Sequence, residues 1–102
     1  MVEQITQQEF NSVLKNNSFV IVDYFAEWCG PCKMMHSIYE DTANKYSNIK
    51  FVKVNVDDNL DLAASQNIQV VPTFVAYKNG QEAARITGYN PPQQFNNFIE
   101  AL

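Results

Sequence analysis

Apolar and polar positions divide the chain into short strands and helices, and the clearest strand signals are two continuous apolar runs. SFVIVDYF, residues 18–25, is rich in β-branched and aromatic side chains and predicts a central strand buried on both faces. IKFVKVNV, residues 49–56, has valines at alternate positions and predicts a second strand. TFVAYKNGQEAARIT, residues 73–87, predicts a hairpin that turns at Asn79 and Gly80, because this pair suits a two-residue loop.

Apolar residues at helical spacing occupy much of the remaining chain. After a short first strand near residues 2–5, Thr6 and Glu9 are placed as a capping box, which predicts that the first helix begins just after Thr6. Two further helices are predicted, one over residues 31–46 and a short one around residues 60–66.

Local residues mark the end of the short helix and the start of a last helix. Asn67 is placed as a left-handed stop for the short helix, and a last helix is predicted with Asn90 as its cap and Pro91 as its first residue.

Strands separated by helices run parallel, whereas a hairpin adds antiparallel strands. With 102 residues, the chain is expected to form one domain over residues 1–102. The prediction is an α/β fold in which a single mixed central sheet, with parallel strands and an antiparallel C-terminal hairpin, is flanked by about four helices.

Composition and charge argue against several classes of function. The formal net charge is −4, and the seven Lys and Arg residues are scattered, without the basic stripe of a nucleic-acid-binding protein. The apolar runs are strand-sized and fall short of the roughly 20 residues that a membrane span needs. The stretch MVEQITQQEF has neither the basic start nor the apolar segment of a signal peptide, and no apolar stripe is left unexplained. We therefore expect a cytoplasmic monomer that binds neither nucleic acid nor membranes.

The two cysteines of the chain, Cys29 and Cys32, are three positions apart where the central strand gives way to a helix. A helix start offers free backbone N–H groups and the positive end of the dipole, which lowers the pKa of a thiol from its free value of about 8.5. Pro31 fits the first helical turn, and Gly30 leaves room for another molecule to approach. We expect Cys29 to face solvent as a nucleophile and Cys32 to lie beneath it.

A structural clip and a zinc site are the alternatives for these cysteines. A disulfide across so short a loop constrains the unfolded chain by only about 2 kcal/mol, and lasting disulfides are rare in the cytosol. Cys29, Cys32 and His36 have a metal-like C-x2-C-x3-H spacing, but a closed zinc site takes four ligands, and an Asp or Glu would have to complete it. No metal is therefore expected, with zinc kept as a less favoured alternative.

WCGPCK at residues 28–33, preceded by VDYFAE at residues 22–27 and followed by VVPTF at residues 70–74, resembles the thioredoxin family. The similarity covers nearly the whole chain and implies the thioredoxin fold. It also implies protein-disulfide reductase activity, in which Cys29 attacks a substrate disulfide as a thiolate. Cys32 would then attack Cys29, releasing reduced substrate and leaving an internal disulfide.

A carboxylate inside the apolar central strand is the most unusual residue of the sequence pattern. A buried, sparsely paired carboxylate such as Asp23 should have a raised pKa, which suits proton transfer near neutral pH. The resemblance implies that Asp23 helps to deprotonate Cys32. It also places Lys53, on the neighbouring strand, near that carboxylate.

The resemblance further implies a surface for substrate around the cysteines. VPT resembles the cis-proline loop of the family, so we expect a cis bond before Pro72 and a backbone at Val71 that is free to pair with an extended substrate. Trp28 would shield the cysteines and border the docking surface, and Gly88 would let substrate lie against the site. Tyr89 is larger than the small residue often found there, which bears on the choice of partner.

The partners implied by the resemblance are disulfide-containing proteins and a thioredoxin reductase that draws on NADPH. No cofactor would be bound, because the cysteine pair itself holds both electrons. A redox-independent binding or scaffold subunit is the other class considered. A scaffold has no need for intact WCGPC, Asp23 and VPT together.

Overall fold

The computed structural model describes residues 2–102, and within them it has one five-stranded sheet flanked by four helices. In chain order the elements are β1 (Glu3–Gln4), α1 (Phe10–Asn16), β2 (Phe19–Phe25), α2 (Gly30–Lys45), β3 (Lys50–Asn55), a 3₁₀ turn (Val56–Asp58), α3 (Leu60–Ser65), β4 (Thr73–Lys78), β5 (Gln81–Thr87) and α4 (Pro92–Glu100). None of the helices within residues 2–102 is long and apolar enough to cross a membrane.

The sheet is mixed, as the sequence predicts. Its strand order is β1-β3-β2-β4-β5. β1, β3 and β2 run parallel, because a helix lies between successive parallel strands, and the β4–β5 hairpin adds the antiparallel edge. The hairpin turns at Asn79 and Gly80, whose φ angles of 52° and 81° are those of the expected two-residue loop.

Each face of the sheet buries its own apolar cluster. Successive residues of β2 point to opposite faces, so Val22 packs in the cluster with α1 and α3 and Ile21 packs in the cluster with α2 and α4. Asp23 is two positions after Ile21 and therefore lies on the face that α2 covers. The same helix carries both cysteines at its start, so the sheet brings the carboxylate to the cysteines.

The first helix starts later than the predicted capping box. Glu9 accepts a hydrogen bond from the Thr6 N–H at 2.9 Å, but the Thr6 hydroxyl donates to Glu9 instead of capping the helix, which begins at Phe10. The N–H of Gln7 donates to the Asn59 side chain at 2.8 Å. This tertiary bond holds the segment in a turn, so the predicted start just after Thr6 is wrong.

The last helix also starts one residue later than predicted. Pro91 is its cap and Pro92 its first residue, whereas the buried Asn90 donates its side-chain amide to the carbonyls of Thr87 and Gly88. Asn90 therefore fixes the loop between β5 and α4 rather than the helix end. At the other predicted helix end, Asn67 has the expected left-handed φ of 56°.

Candidate active site

The two cysteines lie at the N-terminus of α2 and are joined by a disulfide. Cys29 is the N-cap residue, and its sulfur accepts a hydrogen bond from the Cys32 N–H at 3.1 Å. Gly30 and Pro31 form the start of the helix, where the missing N–H of proline costs nothing. A thiolate formed at Cys29 would meet the same N–H and the positive end of the helix dipole, both of which lower the pKa of a thiol.

Solvent exposure does not separate the two cysteines in this disulfide form. Cys29 is 4% exposed and Cys32 is 7% exposed, so the expectation that Cys29 faces solvent is wrong here. Both pack against Ala26, with Phe25 and Val71 at the edge of the cluster. The cysteines differ instead in their neighbours, since the Cys29 sulfur lies 3.6 Å from the Val71 carbonyl oxygen while Cys32 lines a cavity on the other side.

Asp23 is buried on the cavity side of Cys32, and one of its carboxyl oxygens has no hydrogen-bond partner among residues 2–102. It is 5% exposed, and its Oδ1 atom contacts no donor among the described residues. Loss of solvent raises the pKa of Asp23 to about 7, although the positive charge of Lys53 opposes the shift. Lys53 is the register partner of Asp23 on β3, and its Nζ lies 5.4 Å from the centroid of the Phe25 ring.

A cavity of about 320 Å³ joins the carboxylate to the second cysteine. Asp23, Cys32 and Lys53 all line it, and His36 lines it one helical turn after Cys32. No motif in the sequence predicts His36 at this place. Its signal was the spacing of four residues from Cys32, which puts both side chains on one face of α2.

The loop before β4 lies on the opposite side of the disulfide. The Val71–Pro72 bond is cis, as the sequence resemblance implies. The Pro72 carbonyl accepts a hydrogen bond from the Gly88 N–H at 2.9 Å, which holds this loop beside the end of β5. Within residues 2–102, neither backbone group of Val71 has a backbone partner, so both remain able to pair with an added strand.

Trp28 is 71% exposed, which excludes a place in the core. Its indole N–H donates to Asp57 at 2.9 Å, a contact that no motif in the sequence predicts. Parallel β2 and β3 end at the same edge of the sheet, and Trp28 and Asp57 each follow one of these strands. The predicted parallel pairing of these two strands was therefore enough to place Trp28 near Asp57.

Three of the predicted substrate-binding residues shape the surface near the disulfide. Gly30 and Gly88 leave it open, and Tyr89 adds bulk to it. A Cβ atom placed on Gly30 or Gly88 would meet no atom within 4 Å apart from those of the adjoining chain. Gly88 has a φ of 80°, a left-handed conformation that favours glycine. Tyr89 next to it is 45% exposed and adds a large side chain to this surface.

The zinc alternative has no support in this geometry. Among the residues the structure describes, no group of three or more His, Cys, Asp and Glu side chains could hold a metal ion. Cys29 and Cys32 are bonded to each other.

Comparisons with known proteins agree with the site geometry. The family model described as Thioredoxin matches residues 1–101. The chain is 44% identical to Thioredoxin 1 of Plasmodium falciparum over 91 residues, which is 88% of each chain. It is 45% identical to the thioredoxin of Mycoplasma genitalium over 94 residues, covering 88% of this chain and 89% of the relative.

Solved structures give the same result for the fold. A structure of Plasmodium falciparum thioredoxin superposes with a TM-score of 0.92 at 40% identity and covers 97% of each chain. The oxidised form of mitochondrial thioredoxin 3 from Saccharomyces cerevisiae superposes with a TM-score of 0.91 at 35% identity, covering 99% of this chain and 95% of that one. The mixed sheet with its four helices is therefore the thioredoxin fold. The chain belongs to the thioredoxin family, and its Cys29–Cys32 pair makes it a thiol–disulfide oxidoreductase.

Proposed function

We propose that this reductase acts on protein disulfides, with Cys29 as the attacking thiolate and Cys32 as the resolving thiol. The observation that carries this assignment is the difference between the surroundings of the two sulfurs. The Cys29 sulfur lies beside the Val71 backbone, on the side where an extended substrate could pair. Cys32 lines the cavity that contains Asp23, so a proton acceptor adjoins the thiol that must be deprotonated second.

In the first step, the Cys29 thiolate attacks one sulfur of the substrate disulfide. A bond forms between that sulfur and Cys29, the substrate S–S bond breaks, and the other substrate sulfur leaves as a thiolate and takes a proton from solvent. The N–H of Cys32, 3.1 Å from the Cys29 sulfur, is placed to stabilise the attacking thiolate.

In the second step, the Asp23 carboxylate accepts the proton of the Cys32 thiol. The Cys32 thiolate then attacks Cys29, and the bond between Cys29 and the substrate breaks as the internal disulfide forms. Two electrons have passed to the substrate, which leaves with both sulfurs reduced. A pKa of about 7 at Asp23 suits this role, because such a carboxyl both accepts and releases protons near neutral pH. The positive charge of Lys53 limits how far that pKa rises.

Substrate is proposed to bind as an extended segment against the Val71 backbone, with Trp28 and Tyr89 at the borders of the contact. Main-chain hydrogen bonds would then supply affinity without reading a particular sequence. Gly30 and Gly88 would allow the substrate backbone to approach the disulfide closely, since neither has a side chain to hold it away.

Reduction of insulin disulfides by dithiothreitol is the assay that tests this function. We expect catalytic amounts of the chain to accelerate precipitation of the insulin B chain. The control is the same protein reduced and then alkylated with iodoacetamide, which blocks the thiols and should add nothing to dithiothreitol alone. Equal rates with active and alkylated protein would contradict the proposed function.

The electron supply is proposed to be a thioredoxin reductase that draws on NADPH, so that no cofactor is bound by the chain itself. In the same insulin assay, NADPH and a thioredoxin reductase should replace dithiothreitol, and NADPH absorbance at 340 nm should fall only when all components are present. Activity with dithiothreitol but none with reductases from several sources would contradict this partner and leave the disulfide chemistry unaffected.

We further propose that the chain acts as a monomer in the cytoplasm. Among residues 2–102, five large apolar side chains are exposed, and three of them, Trp28, Val70 and Tyr89, adjoin the disulfide or the loop before β4, where a bound substrate would cover them. The other two, Met34 and Leu60, lie on different helices, α2 and α3, and are separate in sequence. A cytosol supplied with NADPH can return the cysteines to the dithiol state that a reductase needs. Light scattering that gives the mass of two chains, or a tagged chain found outside the cytoplasm, would overturn the respective proposal.

A further inference from the structure

The cavity beside Asp23 is large enough to hold water. Its volume of about 320 Å³ leaves room for several water molecules, each of which occupies roughly 30 Å³ in the liquid. Asp23 contributes a buried oxygen without a partner, which a water molecule in the cavity could satisfy. Water can therefore link the buried carboxyl to the side chains at the other walls of the cavity.

The polar groups around Asp23 come from every element that borders the cavity. They are Gln4 on β1, Glu27 before α2, Lys33 and His36 on α2, and Lys53 on β3. A side-chain amide does not ionise near neutral pH, an ammonium group ordinarily keeps its proton there, and a carboxylate in solvent ordinarily has none to release. Imidazole is the side chain that both takes and gives protons between pH 5 and 8. His36 is the sole histidine of the chain, and it is exposed to solvent.

We propose that His36 exchanges the proton of Asp23 with solvent through water in this cavity. Before Asp23 can take the proton of Cys32, a protonated Asp23 carboxyl must pass its own proton to a water molecule, and the chain of water delivers one to the imidazole. The imidazolium then releases its proton to bulk solvent, so the proton count balances and no electron moves. His36 does not act on the reacting sulfurs itself and acts only through Asp23. The inference therefore rests on the role proposed for that carboxylate.

Single-turnover oxidation of the reduced chain tests this inference. A model disulfide is mixed with the dithiol form at pH 6.5 in dilute buffer, and Trp28 fluorescence and acid-quenched thiol counts follow closure of the Cys29–Cys32 bond. His36→Gln should slow closure by about three- to tenfold, less than the roughly 10²-fold expected on loss of a group that transfers the proton directly. Added imidazole should restore the rate. Ser37→Ala changes an exposed neighbour that does not line the cavity and serves as the matched control.

The outcomes separate this inference from the proposed function. Slow closure of His36→Gln with rescue by imidazole supports proton exchange at this residue. Unchanged closure, or slow closure that imidazole does not restore, overturns it. The role of Asp23 is tested independently, because Asp23→Asn should be slow both with and without imidazole. If Asp23→Asn closes at the unmodified rate, the proposed function of that carboxylate fails first.

A second measurement does not depend on the His36 variant. Because the chain has one histidine, isotope-labelled histidine gives a single set of imidazole signals in NMR spectra. These imidazole signals should differ between the unmodified protein and Asp23→Asn when both are recorded at the same pH. Identical imidazole signals in both proteins would overturn the link between the two groups.

Discussion

Cys29→Ser is expected to lower the rate of insulin reduction to that of dithiothreitol alone, the largest effect expected of any single substitution in this chain. A serine hydroxyl in this place does not ionise near neutral pH and is a poor nucleophile toward disulfides, so the first step does not occur. The fold should persist, because the disulfide closes a loop of only a few residues and contributes about 2 kcal/mol. Circular dichroism of the variant checks this point.

Cys32→Ser is the matched control for this result. Its Cys29 thiolate should still attack, but no second thiol is present to displace the substrate, so a mixed disulfide should accumulate. Mass spectrometry under non-reducing conditions should detect one substrate chain on Cys32→Ser and none on Cys29→Ser, with release by dithiothreitol. The opposite pattern would reverse the assignment of the attacking and resolving sulfurs.

The sequence predicts the fold well where its signals are local or periodic. The apolar run of β2 and the Asn79-Gly80 turn depend on few tertiary contacts, and both occur as expected. The starts of α1 and α4 were placed too early, because hydrogen bonds from residues distant in sequence or from a neighbouring loop outcompete the local capping pattern. At α1 the competing partner is Asn59, more than 50 residues away.

The candidate site was predicted in its residues but not fully in its geometry. Resemblance to a family assigned the cysteines, Asp23 and the cis bond before Pro72, because these depend on motifs. The similar burial of both cysteines depends on how the Val71 loop packs against the disulfide form, which no motif states. His36 in the cavity was missed for the same reason, since it required the relative position of a helix and a strand.

Asp23→Asn should change both activity and stability, and each change has its own dependence on pH. Near pH 7 the variant lacks the group that accepts the Cys32 proton, so disulfide reduction should slow by roughly 10²-fold. The difference should shrink as pH rises toward 9, because hydroxide in solvent can then take the thiol proton in place of Asp23. Insulin reduction measured from pH 6 to pH 9 gives the comparison, and parallel profiles for the two proteins would exclude Asp23 as the proton acceptor.

The stability effect of Asp23→Asn follows from the raised pKa. An unfolded chain loses the Asp23 proton near the ordinary value of 3.8, whereas the folded chain keeps it until about 7. Between these values the folded state binds more protons than the unfolded state, so its free energy of unfolding decreases as pH rises. The total decrease is about 4 kcal/mol, since each pH unit contributes about 1.4 kcal/mol. Below pH 3.8 the carboxyl is protonated in both states and the effect vanishes.

Because asparagine does not ionise, the free energy of unfolding of Asp23→Asn should not decrease over this pH range. Urea unfolding of Asp23→Asn should give a free energy of unfolding higher by as much as about 4 kcal/mol at pH 8 and nearly unchanged at pH 4. Asp41→Asn, which removes an exposed carboxylate from α2, is the control and should have little effect at either pH. A slower but more stable variant would mean that this chain retains a buried, destabilising carboxylate for proton transfer. A slower variant with no gain at pH 8 would instead mean that the carboxyl is compensated in the folded chain, and the raised pKa would be wrong.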